Sequence, residues 1–179
     1  MTKREFIKRL TNSKDDFLES FFGLLKKGGV SFCTIGGLAV NAYTEPVVSL
    51  DLDVVVVADK LEVVIPIMQK YYKVKKYPHS LNITKPSSDI RIQIQLDPRY
   101  QPFLKRARPK NVLGYRIPVA SIEDVLQGKI WAAVDKKRRP SKRQKDLADI
   151  MRLVEARPDL KTLIPVELRK QLIGFRNQK

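Results

Sequence analysis

Hydrophobic residues recur along the chain with two periods, one typical of helices and one typical of strands. Apolar positions three or four residues apart predict a first helix over residues 13–27, with Ser13 and Asp16 spaced as a capping box and Gly28 at its end. Further helices are predicted over residues 38–43, directly after two glycines, and over residues 59–72, 98–106, 141–155 and 166–175, with another that begins at Ser121.

Segments rich in β-branched residues or with strict alternation predict strands. The strongest is residues 50–57, LDLDVVVV. In residues 90–96, IRIQIQL, isoleucine and leucine alternate with arginine and glutamine, so one face of that strand is apolar and the other polar. Further strands are predicted over residues 30–34, 73–77, 81–84 and 115–119.

The order of these elements predicts a fold of the α/β (α+β) class, in which a small mixed β-sheet is flanked by helices. Helices alternate with strands in the first part, strands dominate the middle, and helices follow. We expect a single domain over residues 1–179, with an α/β core over about 1–119 and a C-terminal helical part over about 120–179.

Composition excludes several classes of protein. A single cysteine, Cys33, excludes an internal disulfide and a multi-cysteine zinc site, and a single histidine, His79, excludes paired-histidine metal centres. The first residues, MTKREFIKRL, lack the apolar stretch of a signal peptide, and no run approaches the roughly 20 apolar residues of a membrane span. We therefore expect a cytoplasmic protein that does not enter a membrane.

The charge is large and uneven. The chain has 35 Lys or Arg and 19 Asp or Glu, a net charge of +16. Residues 1–90 contribute +3 and residues 91–179 contribute +13. A chain this basic is expected to bind an anionic partner. The densest segment is KKRRPSKRQK, residues 136–145, which is either a solvated connection between helices or a surface that contacts phosphates.

The candidate chemistry lies in residues 35–54, IGGLAVNAYTEPVVSLDLDV. Asp51 and Asp53 are two apart on the predicted strand, so both carboxylates project from one face, where they repel each other. A divalent cation relieves that repulsion, and Mg²⁺ binds one or two carboxylates together with water and substrate phosphates. Gly36 and Gly37, between a strand and a helix, allow a phosphate to approach the backbone closely.

This combination resembles the signature of the DNA polymerase β-like nucleotidyltransferase superfamily: a strand, two small residues, about a dozen positions, then Asp-apolar-Asp-apolar. The resemblance implies Mg²⁺ (or Mn²⁺) on Asp51 and Asp53 and a nucleoside triphosphate as substrate. Ser49 stands where many members have Ser or Thr and would help to position phosphates, as would the two glycines. Val47 stands where many members have Arg.

The C-terminal segments SIEDVLQGKIWAAV and KRQKDLADIMRLVE resemble the helices of the abortive-infection, AbiEii-type toxin branch and of related small bacterial nucleotidyltransferases. The resemblance implies that Lys129 and Asp146 complete the site. Periodicity independently predicts that Lys129 lies on the inward stripe of its helix, where a lysine must reach outward or meet an anion. Asp146 would orient Lys129, assist the acceptor, or form an ordinary ion pair on the helix face.

The third carboxylate of that superfamily has no clear counterpart. The polar face of residues 90–96 has Gln93 and Gln95 where an Asp is expected, and glutamine cannot accept a proton at neutral pH. Asp97 would replace it if the strand extends one residue further. Alternatively, Asp97 caps a short helix.

The resemblance therefore implies a Mg²⁺-dependent nucleotidyltransferase that transfers a nucleoside monophosphate from an NTP to an anionic acceptor, with RNA and especially tRNA expected. The alternative is a catalytically degenerate fold that binds nucleotides or nucleic acid. The toxin branch implies an antitoxin partner. The residues expected to bind nucleic acid are Lys136, Lys137, Arg138, Arg139, Lys142, Arg143 and Lys145.

Overall fold

The computed structural model describes residues 2–172. The helices are α1 (Lys3–Leu10), α2 (Phe17–Lys27), α3 (Gly36–Val40), α4 (Leu61–Tyr71), α5 (Phe103–Arg106), α6 (Ile122–Val134), α7 (Pro140–Ala156) and α8 (Val166–Arg169). The strands are β1 (Phe32–Ile35), β2 (Asp51–Val56), β3 (Lys73–Tyr77), β4 (Ser80–Lys85), β5 (Ser88–Gln95), β6 (Arg108–Val112) and β7 (Tyr115–Val119). Short 3₁₀ turns cover Ala58–Lys60, Pro98–Tyr100 and Pro158–Leu163.

All seven strands join one mixed sheet in the order β3-β4-β5-β2-β1-β7-β6. Strand β2 runs antiparallel to β1 and parallel to β5, while β4 and β3 continue the sheet with antiparallel pairing. In this register Asp53 lies between Ile35 on β1 and Gln93 on β5, and Asp51 lies beside Arg91. The two aspartates therefore sit near the centre of the sheet, at the start of β2.

The two faces of the sheet differ in chemistry because side chains alternate along each strand. One face carries Leu52, Val54, Ile92 and Ile94, all almost completely buried. Phe22 of α2 stacks on Phe32 of this face, with 5.5 Å between ring centroids. The opposite face carries Asp51 and Asp53. Helix α5 packs against strands β1 and β2. We call this second face of the strands the polar face.

The mixed α/β fold expected from the sequence is confirmed, and so is the alternation of β5: its isoleucines are buried and its Arg and Gln residues only half-buried. Helix α6 begins after Ser121, close to the expected position, and Ser121 Oγ caps it by accepting a hydrogen bond from the Asp124 N–H. In a capping box, the side chain at the third position would bond back to the cap. Instead, the Asp124 carboxylate pairs with Arg106.

Several predicted boundaries were wrong. Helix α2 begins at Phe17 rather than residue 13, because Asp16 is its N-cap and Ser13 instead bonds with Ser88 of β5. The predicted helix over residues 98–106 is a 3₁₀ turn followed by the single turn α5, and Pro98 and Pro102 stand at the beginning of these two turns.

Other elements were not predicted or were predicted too long. Helix α1 and the edge strand β6, whose sequence RPKNV has little β-branched character, were missed. The helix predicted over residues 166–175 ends at Arg169, and residues 173–175 of that prediction lie outside the described residues. Within residues 2–172, no helix has both the length and the apolar character needed to cross a membrane.

Candidate active site

Gly36 lies directly against Asp53. Strand β1 ends at Ile35, and Gly36 then adopts a φ of +67°, in the left-handed region that favours glycine. A Cβ at position 36 would lie 2.1 Å from Asp53 Oδ2. The absence of a side chain at Gly36 therefore leaves the space that the Asp53 carboxylate occupies, and any larger residue would displace the carboxylate.

Gly37, Ser49 and Lys145 meet at the same end of the sheet. A Cβ at position 37 would lie 3.8 Å from Ser49 Oγ and 4.0 Å from Lys145 Nζ. Ser49 Oγ also bonds with the backbone of Asp51 on both sides, accepting from its N–H at 3.3 Å and donating to its carbonyl at 3.2 Å. The structure thus combines an open backbone, a hydroxyl and an ammonium group, which are suitable ligands for phosphate oxygens.

Two cations from different elements hold Asp51. Arg91 of β5 approaches Asp51 Oδ1 at 2.8 Å, and Lys142 of α7 approaches Oδ2 at 3.2 Å. All three side chains are partly exposed. Such pairs contribute little to stability, so the lysine can exchange Asp51 for another anion at small cost.

Asp53 is different, because no hydrogen bond or ion pair reaches its carboxylate from any residue in the range 2–172. Burial raises its pKa above the usual value for aspartate, and the charge of Asp51 adds to this increase, whereas Lys129 and Arg138 oppose it. A desolvated carboxylate without a direct partner, close to a second carboxylate, is a favourable ligand for a cation.

Near Asp51 and Asp53, Lys129 of α6 is buried between two carboxylates of α7. Its Nζ lies 3.0 Å from Asp146 Oδ1 and 2.7 Å from Asp149 Oδ2. Burial lowers the pKa of Lys129, but Asp149 and Asp146 outweigh that effect, so the pKa lies above its usual value and the side chain stays charged. Asp146 also accepts hydrogen bonds from Arg138.

A second set of bonds extends from Asp149 to the loop before β2. Arg152 lies 2.8 Å from Asp149 Oδ1 and also donates to Asn41, Thr44 and the carbonyl of Glu45. The Asn41 side chain bonds both the N–H and the carbonyl of Val47. Asn41 thereby fixes the loop that leads to Ser49 and Asp51.

The position of a third carboxylate on β5 is taken by glutamine. Gln93 is the direct register partner of Asp53, and both Gln93 and Gln95 line a cavity of about 100 Å³ beside Asp53. Gln95 Oε1 accepts hydrogen bonds from the N–H groups of Leu96 and Asp97. Strand β5 ends at Gln95, and the Asp97 carboxylate caps the following turn and pairs with Arg99.

The basic segment of residues 136–145 lies at the beginning of α7, beside the aspartates. Three of its members reach the site: Arg138 binds Asp146, Lys142 binds Asp51, and Lys145 lies near Gly37. The remaining cations of the segment expected to bind nucleic acid are exposed or half-buried: Lys136, Lys137, Arg139 and Arg143.

Sequence reasoning missed three charged residues of this site. Asp149 lies three positions after Asp146, on the same helix face, and that spacing could have indicated it. Arg91 becomes a partner of Asp51 only through the pairing of β2 with β5, which no local pattern specifies. Arg152 reaches across more than 100 positions to Asn41 and Thr44, so it also had no sequence signal.

The residues present are suitable for a divalent metal ion. Asp51 and Asp53 offer carboxylate oxygens on one face of β2, and Asp53 lines a cavity together with Gly36 and Gln93. Within residues 2–172, no cluster of three or more His, Cys, Asp or Glu side chains is arranged around a single metal position. Two protein carboxylates are nevertheless sufficient for Mg²⁺ when water and substrate phosphates complete its coordination.

Comparison with protein families identifies a match over residues 51–179, more than half of the chain, to the nucleotidyl transferase AbiEii toxin family of type IV toxin–antitoxin systems. The chain belongs to the AbiEii family. The match begins at Asp51 and includes the aspartate pair, Lys129, Asp146 and Asp149. The search of curated proteins found no match.

Solved structures with this fold include several nucleotidyltransferases. The lincosamide antibiotic adenylyltransferase LnuA, bound to lincomycin, is 16% identical with a TM-score of 0.54, covering 79% of the AbiEii-family chain and 99% of LnuA. A putative nucleotidyltransferase from Thermotoga maritima is 17% identical (TM-score 0.54, 83% and 96% covered). An antigenic nucleotidyltransferase-like protein from Paracoccidioides brasiliensis is 14% identical (TM-score 0.57, 98% and 90% covered). At these identities the similarity shows the fold.

Asp53→Asn is expected to raise the free energy of unfolding of the AbiEii-family protein at neutral pH in metal-free buffer. Because folding raises the pKa of Asp53, its ionisation opposes folding, and this cost disappears below the unfolded-state pKa of about 3.9. The advantage of the variant should therefore shrink as the pH falls towards 4 in urea titrations. Asp59→Asn, at an exposed position, is the control. Destabilisation by Asp53→Asn at pH 7 would contradict this account.

Lys129→Met is expected to reduce the free energy of unfolding by about 3 kcal/mol, because it leaves two buried carboxylates without their shared cation. Adding Asp149→Asn should recover part of the loss, since one of the uncompensated charges is then removed. Urea denaturation of the two single variants and the double variant measures this coupling. Strictly additive losses would show that Lys129 and Asp149 do not interact.

Proposed function

We propose that this AbiEii-family protein transfers a nucleoside monophosphate from an NTP to the hydroxyl of an anionic acceptor and releases pyrophosphate. The observation that carries the proposal is the Asp53 carboxylate, which lacks a direct partner within residues 2–172 and lies over the Gly36 backbone beside Asp51. Membership of a nucleotidyl transferase family supports the reaction class.

The triphosphate would bind where Gly37, Ser49 and Lys145 meet. There the backbone is open, and a hydroxyl and an ammonium group are available to phosphate oxygens. Lys142 would leave Asp51 for the triphosphate, because their contact is partly exposed and easily broken. These lysines would supply positive charge where Val47 replaces the arginine that many members of the superfamily carry.

Asp51 and Asp53 would hold Mg²⁺ (or Mn²⁺), which when bound offsets the negative charge that develops on the phosphate oxygens. The positive charges of Lys129 and Arg138 act to lower the pKa of Asp53 and so favour its ionised form. Asp146 and Asp149 keep Lys129 protonated and fixed in position, so we assign them a positioning role. Their burial and their ion pairs make them unsuitable as bases for the acceptor.

Gln93 occupies the β5 position next to Asp53, and it cannot accept a proton at neutral pH. It would instead hold the acceptor hydroxyl by a hydrogen bond. This hydroxyl oxygen attacks the α-phosphorus, the bond to the pyrophosphate oxygen breaks, and the hydroxyl proton is released to solvent. We propose RNA as the acceptor, because the cations of residues 136–145 border the site. The family also supports an antitoxin as a protein partner.

The proposal is tested by incubating the protein with each α-³²P-labelled NTP, Mg²⁺ and total RNA. Wild type is expected to transfer label, and Asp51→Ala and Asp53→Ala should each reduce the rate by at least about 100-fold, because each removes a ligand of the charge-stabilising metal. The control is Asp59→Ala, the loss of an exposed carboxylate outside the site.

Absence of label transfer by wild type to RNA or protein, with any NTP, would contradict the enzyme hypothesis. The glutamine at the third acidic position favours the non-catalytic alternative in that case. NTP binding that persists in wild type without transfer would then indicate a nucleotide-binding module.

A further inference from the structure

The polar face does not end at the aspartates but continues across three more strands to the edge of the sheet. Asp53 is the register partner of Gln93, Gln93 of Asn82, and Asn82 of Lys75. A parallel row connects Asp51 through Arg91 and Thr84 to Lys73. Because register partners share a face, these side chains form two polar rows that begin at the proposed catalytic pair.

Two of the three lysines of strand β3 project from this face. Lys73 and Lys75 are exposed, and Lys75 Nζ lies 5.2 Å from the centre of the Tyr77 ring, so Lys75 and Tyr77 project from the same face. The next residue, Lys76, pairs with Leu81 and therefore points to the opposite face. In strands β3 to β5 the acidic residue is Asp89, which lies on the same face two positions before Arg91, and its carboxylate accepts a hydrogen bond from Asn12.

Uncharged polar side chains lie between the aspartates and the lysines of this face. Asn82 Oδ1 is enclosed but has no hydrogen-bond partner within residues 2–172. Its neighbours in the same rows, Thr84 and Gln93, are half-buried. Tyr77 exposes 39% of its surface at the edge. The face therefore combines positive charge, amides and an exposed ring, the groups with which proteins contact single-stranded nucleic acid.

We propose that the polar face of β5, β4 and β3 binds the acceptor RNA as a single strand whose hydroxyl end lies at Asp53. This proposal rests on the proposed function. Lys75 is three strands from Asp53, about 14 Å at roughly 4.8 Å per strand. A small acceptor at Asp53 would not reach that far, whereas a polynucleotide would carry phosphates to Lys73 and Lys75. The aspartates thus lie between two cationic surfaces, this face and the residues 136–145.

The test compares Lys73→Gln/Lys75→Gln with the matched control Lys70→Gln/Lys76→Gln, which removes the same charge from exposed lysines of α4 and the opposite face of β3. Binding of a fluorescent 12-nucleotide single-stranded RNA is measured by anisotropy at several salt concentrations without NTP. The first variant should weaken binding and reduce the slope of log K against log salt by about 1.4, the value for two lost phosphate contacts on a single strand. The control should bind as wild type does.

Equal effects of the two double variants would overturn the proposal, and so would poly-glutamate binding as tightly as RNA with the same dependence on Lys73 and Lys75. In transfer assays the first variant should raise the KM for RNA while leaving NTP binding unchanged. If wild type transfers no label, the proposed function fails, but the anisotropy comparison still decides whether this face binds RNA.

Discussion

The structure depends on one constraint: Asp51 and Asp53 lie side by side at the start of the central strand β2, and protein cations pair with only one of the two carboxylates. Asp51 is paired with Arg91 and Lys142, whereas Asp53 occupies the space that Gly36 leaves and has no direct partner within residues 2–172. The raised pKa of Asp53, caused first by burial, is the cost of this arrangement. Stability is reduced at this position, and a buried carboxylate with a perturbed pKa is typical of functional sites.

Helices α6 and α7 hold the positive charge of Lys129 in a fixed position, where it partly offsets the cost of burying the Asp53 carboxylate. Lys129 is shared by Asp146 and Asp149, and Arg138 and Arg152 bind the outer oxygens of the same two carboxylates. Lys129 and the two carboxylates of this network are buried, whereas the two arginines are partly exposed. Through Arg152 the network also holds the loop before β2, so the helical part and the strand that carries the aspartates are positioned together.

Local patterns in the sequence were sufficient to predict the α/β fold class and several residues of the candidate site. The Gly36-Gly37 turn, the Asp51–Asp53 spacing and the inward position of Lys129 are visible because each depends on a short repeat or turn. The order of strands, the Arg91–Asp51 contact and the polar rows to Lys75 depend on pairing between distant strands, which the sequence pattern does not specify. The division near residue 119 into a core and a helical part stays a prediction.

The central claim, that Asp53 is left without a direct protein partner in order to bind a metal ion with a nucleotide, is tested most directly by Mn²⁺ binding. Free Mn²⁺ can be followed by electron paramagnetic resonance during titration with a non-hydrolysable NTP analogue. Wild type should bind one Mn²⁺ with the analogue, while Asp53→Asn should bind it at least about tenfold more weakly and Asp59→Asn should match wild type. Equal Mn²⁺ affinity in wild type and Asp53→Asn would contradict the account.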